Sequence, residues 1–218
     1  AAPINEVLAA GMIQLAGWDK QTPFIDLMCG SGTMLIEAAM LACNMPASMN
    51  RNNYAFKQWQ DFDTTLWQTV KNEAMQQIKP LTTSIEGCDI SPYVIDKANS
   101  NIEEAGFYDK IKVKTSSFQD YKPLAGQGFI ITNPPYGEKL QPEHINTLYT
   151  EFGNILKHTY KGSTAWLITS NPEALKHVGL RPSAKIKLFN GSLECRFCKY
   201  ELYDGSRKAS KQPVNESL

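Results

Sequence analysis

The sequence lacks several features that would place it in other classes of protein. No apolar run approaches the roughly 20 residues that a membrane-spanning helix needs, and no signal peptide opens the chain. Only three histidines are present, and none has the spacing of metal ligands. The five cysteines are an odd number and scattered, which suits a reducing compartment rather than a disulfide framework. We therefore expect a cytoplasmic protein without a metal centre.

A complete zinc motif is also missing. Cys195 and Cys198 form a Cys-x-x-Cys pair, but they fall in a predicted strand, where residues three apart point to opposite faces. Neither a second such pair nor a nearby histidine completes a four-ligand site. We therefore expect both cysteines to be structural.

The chain has no excess of charge of either sign, with 22 basic and 22 acidic residues. This balance does not indicate a nucleic-acid-binding protein. It hides a gradient, because residues 1–150 carry 11 basic and 16 acidic side chains and residues 151–218 carry 11 and 6. The carboxyl-terminal part could present a phosphate-facing edge, although ordinary solvated lysines would explain the same pattern.

Apolar segments alternate between strand and helix patterns over 218 residues, which is enough for one sizeable domain. This alternation predicts an α/β fold with a mostly parallel sheet and helices on both faces. The predicted strands are 23–28, 84–89, 111–115, 129–133 and 164–169, and the predicted helices are 5–15, 33–43, 92–104 and 143–159. Asn190-Gly191 joins two further runs, 184–189 and 193–202, and predicts an antiparallel hairpin in which both turn residues have positive φ. The predicted domain covers residues 1–203 with an insert at about 45–79, and a polar tail follows at 204–218.

The most informative segment is Asn133-Pro134-Pro135-Tyr136, which directly follows the apolar run 129–132. The nitrogen of an amide or exocyclic amine is a poor nucleophile because its lone pair is delocalised. The Asn133 side-chain oxygen and the rigidly held Pro134 carbonyl could accept both of its hydrogens and aim the lone pair at an incoming methyl group. Tyr136 offers a ring on which a flipped-out base could stack. The alternative is a proline-punctuated turn without a catalytic role.

A second segment has the pattern of a cofactor-binding turn. Asp26 lies near the end of a predicted strand, which runs into Cys29-Gly30-Ser31-Gly32-Thr33 and then a predicted helix. Glycines let the backbone approach a ligand closely, and the free N–H groups of a helix N-terminus face that ligand. A nicotinamide-dinucleotide site would have a small residue where this chain has Leu35. The acid at Asp26 would repel a pyrophosphate but suits the ammonium group of S-adenosylmethionine.

A third segment is the predicted strand that ends in Asp89. In doubly wound folds an acid at the end of the second strand accepts hydrogen bonds from ribose hydroxyls. Its alternative role is to cap the following helix, but Ser91-Pro92 makes a good helix start by itself. We therefore expect Asp89 to be free for the ribose. Its distance from Gly32 exceeds the usual spacing of about 20 residues because the insert intervenes.

In this order, the three segments resemble those of class I S-adenosylmethionine-dependent methyltransferases with a Rossmann-like fold. More narrowly, they resemble the RNA guanine-N2 methyltransferases that carry an N-terminal THUMP domain, of the large-subunit 23S rRNA type. The match includes Gly137-Glu138 after the tyrosine and the stretches 2–6, 54–59 and 189–195. The resemblance implies S-adenosyl-L-methionine as cofactor, guanine N2 in RNA as substrate, and an RNA-binding THUMP-type region that is missing from this chain.

The resemblance also implies roles for individual residues. The turn bends around the methionine moiety, Asp26 helps hold its amino group, Asp89 takes the ribose hydroxyls and Ile90 packs on the adenine. The implied cofactor contacts are Asp26, Cys29, Gly30, Ser31, Gly32, Thr33, Asp89, Ile90, Ser117, Phe118 and Asn133. The implied catalytic residues are Asn133, Pro134 and Tyr136.

One position departs from the family pattern. An acid commonly ends the third strand of these enzymes and receives the adenine amino group, whereas this sequence has Ser117, then Phe118 and, three residues on, Asp120. Either Ser117 or Asp120 takes over that hydrogen bond, or a water molecule bridges it.

Four other functions share part of this pattern. A tRNA guanine-N2 methyltransferase differs only in its RNA. A DNA adenine-N6 methyltransferase usually needs a larger target-reading region than this insert, and protein-glutamine methyltransferases lack this form of the glycine turn and the ending at residues 190–195. A non-catalytic module that binds S-adenosylmethionine or scaffolds RNA would have no chemical reason to keep both Asn133 and Tyr136.

Overall fold

The computed structural model describes residues 4–48, 51, 53–124, 127–136 and 142–203. The predicted tail at 204–218, Gly137-Glu138 and residues 2–3 of the first matching stretch lie outside this set. Helices α1 to α6 are Glu6–Ala16, Thr33–Ala42, Thr64–Gln76, Pro92–Glu104, Pro142–Thr159 and Pro172–Leu175. Strands β1 to β7 are Phe24–Asp26, Ile85–Asp89, Ile111–Thr115, Phe129–Thr132, Thr164–Thr169, Ala184–Asn190 and Leu193–Glu201. Among the described helices, none has both the length and the apolar character needed to cross a bilayer.

The strands form one sheet in the order β3-β2-β1-β4-β5-β7-β6. Strands β1 to β5 are parallel, and β7 is antiparallel to both of its neighbours. The predicted Rossmann-like sheet with a closing antiparallel hairpin is therefore confirmed. The chain moves outward from β1 to β3 and then returns to β4, so a crevice opens where the carboxyl ends of β1 and β4 diverge.

The core lies on both faces of the sheet. Helices α1, α2 and α4 pack on one face around residues such as Leu35, and α5 packs on the other around residues such as Phe152. Each such buried side chain stabilises the fold by about 1.5–3 kcal/mol. Cys195 belongs to the first cluster and Cys198 to the second, so the prediction that they point to opposite faces is confirmed.

The closing hairpin is confirmed, but its turn lies one residue later than predicted. Asn190 is still part of β6 and pairs with Leu193, so the turn residues are Gly191 and Ser192. Only Gly191 has a positive φ, at 62°, which is the arrangement of a turn with glycine in the first central position. Asn190 instead keeps extended backbone and turns its side chain into the protein, where it is 8% exposed.

The insert between α2 and β2 contains a 3₁₀ turn, Ala55–Gln58, and helix α3. Its Phe56 ring packs against Tyr54 and Trp67, with ring centroids 5.0 and 5.1 Å away. Helix α2 starts at the crevice and runs about 15 Å away from it, at 1.5 Å per residue. The insert therefore begins away from the crevice, and none of its described residues lines the cavity there.

Candidate active site

A cavity of about 730 Å³ occupies the crevice at the carboxyl ends of β1, β2 and β4. Ten of the eleven predicted cofactor contacts line it, and Gly32 is the exception. The ten are Asp26, Cys29, Gly30, Ser31, Thr33, Asp89, Ile90, Ser117, Phe118 and Asn133. The sequence segments that were expected to act together therefore share one cavity, while the role of each residue in it stays a prediction.

The glycine turn forms one wall of this cavity. Gly30 and Gly32 have φ values of 55° and 86°, a left-handed conformation that strains residues with a side chain. A Cβ atom on Gly30 would meet no atom within 4 Å, whereas one on Gly32 would lie 3.5 Å from Ala98 of α4. Gly30 thus faces open space, and Gly32 lets the turn pack closely on the neighbouring helix.

Asn101 of α4, which was not among the predicted site residues, also holds this turn. Its Nδ2 donates to the Ser31 carbonyl at a distance of 2.9 Å. This bond fixes the turn against α4, while the Gly30 and Gly32 N–H groups donate to Asp89 Oδ2 and to the Cys29 carbonyl. The contact joins residues 70 positions apart, so no local pattern could have revealed it.

Asp26 lies at the base of the cavity and is only 2% exposed. Its Oδ1 accepts hydrogen bonds from the Thr132 hydroxyl at 2.8 Å and from the Met28 N–H at 3.1 Å. Burial removes the water that would stabilise the carboxylate and raises the pKa of Asp26 to about 7, and Asp89 adds a smaller repulsion. A positively charged group in the cavity would favour the ionised form.

Replacing Asp26 with Asn should make stability less dependent on pH. Between about pH 4 and pH 7 the folded protein keeps a proton on Asp26 that the unfolded chain has released, because the pKa rises from 3.8 to about 7 on folding. This group therefore lowers the free energy of unfolding as pH rises through that window, and its contribution is constant above it. Asn has no carboxyl group to titrate, so the free energy of unfolding of the variant should not fall for this reason as pH rises. Urea unfolding of both proteins from pH 4 to 8 measures the difference, and parallel stability curves would contradict the raised pKa.

Asp89 accepts more hydrogen bonds from within the protein than the sequence indicated. Its Oδ2 accepts from the Gly30 N–H at 3.1 Å, and its Oδ1 accepts from the Ser91 N–H at 3.0 Å. Ser91 is the N-cap residue of α4 and Pro92 follows it, as predicted, although the Ser91 side chain makes no capping hydrogen bond. A carboxylate offers about four acceptor positions, so Asp89 retains capacity for ribose hydroxyls. The neighbouring Ile90 is 75% exposed and lines the cavity, which suits contact with a flat ring.

The end of β3 departs from the expected pattern in a second way. The Ser117 hydroxyl donates to the Asp120 carboxylate at 2.7 Å, and Asp120 does not line the cavity. Gln119 and Glu151 do line it, and the Gln119 Nε2 donates to Glu151 at 2.8 Å. Which of these residues contacts the adenine stays a prediction. The position of Glu151 on α5 gave no signal in the sequence.

Asn133 and Tyr136 have different environments although they are three residues apart. Asn133 is half-buried and lines the cavity, together with Pro135. Pro134 is buried and is not a lining residue, and Tyr136 is 5% exposed and packs into the core. Burial raises the pKa of Tyr136 above its usual value. The predicted stacking of a base on Tyr136 therefore requires this ring to become exposed.

Comparison with known proteins agrees with this geometry. The family UPF0020, described as RMKL-like, methyltransferase domain, matches residues 1–199. A Synechocystis protein provisionally named an RNA methyltransferase, slr0064, is 36% identical over 93% of this chain and 53% of its own length. Ribosomal RNA large subunit methyltransferase K/L of Vibrio parahaemolyticus is 37% identical over 94% of this chain and 30% of its own length.

Solved structures agree as well. The crystal structure of SMU.472 complexed with SAH superposes with a TM-score of 0.87 and 34% identity, covering 94% of this chain and 55% of that one. The present chain thus spans only about half, or less, of these longer proteins. The motifs, the sheet order and the family match lead to the same conclusion: this chain belongs to the RMKL-like methyltransferase domain family.

Proposed function

We propose that this domain transfers a methyl group from S-adenosylmethionine to the N2 amine of a guanine in RNA, with 23S rRNA as the expected substrate. The observation that carries the proposal is the single cavity that joins the glycine turn and Asp89 to Asn133. The residues proposed to bind the cofactor and the residue proposed to accept an amine hydrogen line the same cavity, which in-line transfer would require.

The residues of the cavity fit S-adenosylmethionine, the cofactor of this family. The open side of Gly30 and the N-terminus of α2, where Thr33 and Met34 line the cavity, suit the methionine carboxylate, and Asp26 suits the ammonium group. Asp89 has spare acceptor positions for the ribose, and the exposed Ile90 suits the adenine face. When bound, the cofactor supplies a sulfonium-activated methyl group.

Asn133 is the residue proposed to bind the guanine amine that accepts the methyl group. Its side-chain oxygen, which is buried in this structure, and the carbonyl of Pro134, which does not line the cavity, would have to be uncovered as the guanine enters. They would then take the two N–H hydrogens of the guanine amine and direct the nitrogen lone pair toward the methyl group. Positioning of this kind supplies most of the rate enhancement for an already activated donor, so no strong base is needed. The surplus proton can leave after the transfer.

The relatives support RNA as the substrate class. The K/L relatives are named for the large-subunit ribosomal RNA, and the matched part is only about 30% of the Vibrio protein. We infer that a separate THUMP-type region captures the RNA, which allows the catalytic domain to have no net charge. The five free cysteines suit a cytoplasmic location for this reaction.

Methyl transfer from labelled S-adenosylmethionine tests the proposal. Unmodified rRNA, tRNA, DNA and a protein extract are offered separately, and the nucleic acids are digested to nucleosides and analysed by mass. We expect labelled N2-methylguanosine from 23S rRNA. The same nucleoside from tRNA alone would move the substrate to tRNA, and methyladenine in DNA or methylglutamine in protein would overturn the proposed acceptor.

The non-catalytic alternative needs its own measurement. Calorimetric titration with S-adenosylmethionine shows whether the cofactor binds independently of any acceptor. Binding without label in any acceptor would overturn the enzymatic proposal only if a version carrying the upstream region gives the same result, since the RNA-capturing part is proposed to lie there.

A further inference from the structure

We propose that Asn171, which the sequence analysis did not single out, is a positioning residue for methyl transfer. It holds the main-chain carbonyl of Tyr136 and thereby fixes the loop that carries Asn133. This inference rests on the proposed function, because its readout is the rate of methyl transfer. Asn171 does not line the cavity, so it acts through the loop and not on cofactor or substrate.

The orientation of the Asn171 amide is fixed by its neighbours. Asn171 is the N-cap of α6, and its Oδ1 accepts from the Ala174 N–H at 2.9 Å. Because that contact requires an oxygen, the other amide atom is Nδ2, which donates to the Tyr136 carbonyl at 2.9 Å. The main-chain N–H of Asn171 donates to Thr169 Oγ1 at 3.0 Å, which fixes its backbone as well.

A second side chain, Tyr149, contacts the preceding carbonyl of the same loop, that of Pro135. The Tyr149 hydroxyl lies 2.7 Å from Thr169 Oγ1 and 3.3 Å from the Pro135 carbonyl oxygen. Tyr149 and Thr169 are both fully buried, so water does not compete for the bond between their hydroxyls. Thr169 thus contacts both supporting residues, Tyr149 of α5 and Asn171 at the start of α6.

The loop depends on such external bonds because of its own sequence. Pro134 and Pro135 have no N–H groups, so the loop has few donors with which to bond itself to neighbouring strands. The Pro135 and Tyr136 carbonyls are held by side chains from elsewhere in the fold. The Tyr136 ring adds a third anchor, buried in the core beside Asn190 and Cys195 of the closing hairpin. An error of about 1 Å in the position of a reacting group can cost about 100-fold in rate. Loss of one hydrogen bond to the loop should therefore displace Asn133 and lower turnover.

Asn171→Asp isolates the contact with Tyr136. Aspartate keeps an oxygen for the Ala174 N–H, and it is as good an N-cap as asparagine. It replaces the Nδ2 donor with a second acceptor, which faces the Tyr136 carbonyl and repels it. We expect kcat to fall at least tenfold, with the dissociation constant of S-adenosylmethionine within about twofold of wild type and a similar unfolding midpoint.

Asn44→Asp is the matched control. Asn44 also donates its Nδ2 to a main-chain carbonyl, that of Gln77 at 3.3 Å, but neither residue lines the cavity. We expect wild-type kcat for this variant. Asn171→Ser, which keeps a cap acceptor and removes the donor without adding charge, should show a smaller loss of kcat than Asn171→Asp.

The outcomes separate this inference from the proposed function. Unchanged kcat in Asn171→Asp, with active wild-type protein, would overturn the positioning role and leave the function standing. A fall in cofactor affinity or in unfolding midpoint as large as the fall in kcat would show a structural role and also overturn it. Failure of the wild type itself to methylate any acceptor, even with the upstream region, would overturn both.

Discussion

Asn133→Ala is expected to lower methyl-transfer turnover at least tenfold while leaving the affinity for S-adenosylmethionine nearly unchanged. The side-chain oxygen of Asn133 would accept a hydrogen from the target amine as the nitrogen becomes positive, so the contact is strongest in the transition state. Removal of one such placed polar contact typically costs about 3–4 kcal/mol. Single-turnover rates with saturating cofactor and RNA, combined with a calorimetric titration of the cofactor, measure both quantities.

Two further variants make this result specific. Asn133→Asp keeps an acceptor oxygen of the same reach and should retain more activity than Asn133→Ala. Asn44→Ala removes the same side chain outside the cavity lining and should keep wild-type turnover and cofactor affinity, although alanine is less stable at the positive φ of this position. Asn133 also lines the cofactor cavity, so a large loss of cofactor affinity would show that its main role is cofactor binding. Wild-type turnover in Asn133→Ala would contradict the assigned role.

The sequence was sufficient to locate the candidate site because of where parallel strands end. Asp26, Asp89 and Asn133 each lie at or just after the carboxyl end of a buried strand, and such ends meet at one edge of a sheet. Apolar patterns identify buried strands well, and glycine and proline mark the turns that follow them. The three segments could therefore be brought to one cavity without knowledge of tertiary contacts.

The supporting contacts could not be predicted in the same way. Asn171 holds Tyr136 across 35 positions, and Asn101 holds Ser31 across 70. Both are ordinary polar residues at ordinary positions, one at a helix start and one on a helix surface. Their partners are main-chain carbonyls, which every residue has, so no residue type or spacing identifies the pair.

Tyr136 shows a second limit of sequence-based prediction. An aromatic residue after two prolines suggests an exposed stacking surface, but exposure is decided by what the rest of the chain places over the ring. Here the closing hairpin, more than 50 positions later, contributes Cys195 to the cluster that covers it. The one-residue error in the hairpin turn has a similar cause, because the pairing of Asn190 with Leu193 keeps Asn190 in the strand.

Asp89→Ala is expected to weaken the binding of S-adenosylmethionine by about 10- to 100-fold. The carboxylate is proposed to accept both ribose hydroxyls, and a hydrogen bond to a charged group contributes about 1.5–3 kcal/mol. The same carboxylate holds the Gly30 N–H at 3.1 Å, so its removal also loosens the turn around the methionine part. Calorimetric titration measures the change in dissociation constant, with Asp109→Ala, an exposed aspartate paired with Lys110, as the matched control.

A cofactor fragment distinguishes the two parts of this effect. 5′-Methylthioadenosine has the adenine and ribose of S-adenosylmethionine but lacks its amino-acid part. If Asp89 acts mainly through the ribose, Asp89→Ala should weaken both ligands by the same factor. A smaller loss for the fragment would show that the bond from Gly30 to Asp89 matters more, because only the whole cofactor needs the turn. An unchanged dissociation constant for S-adenosylmethionine would remove Asp89 from the cofactor site altogether.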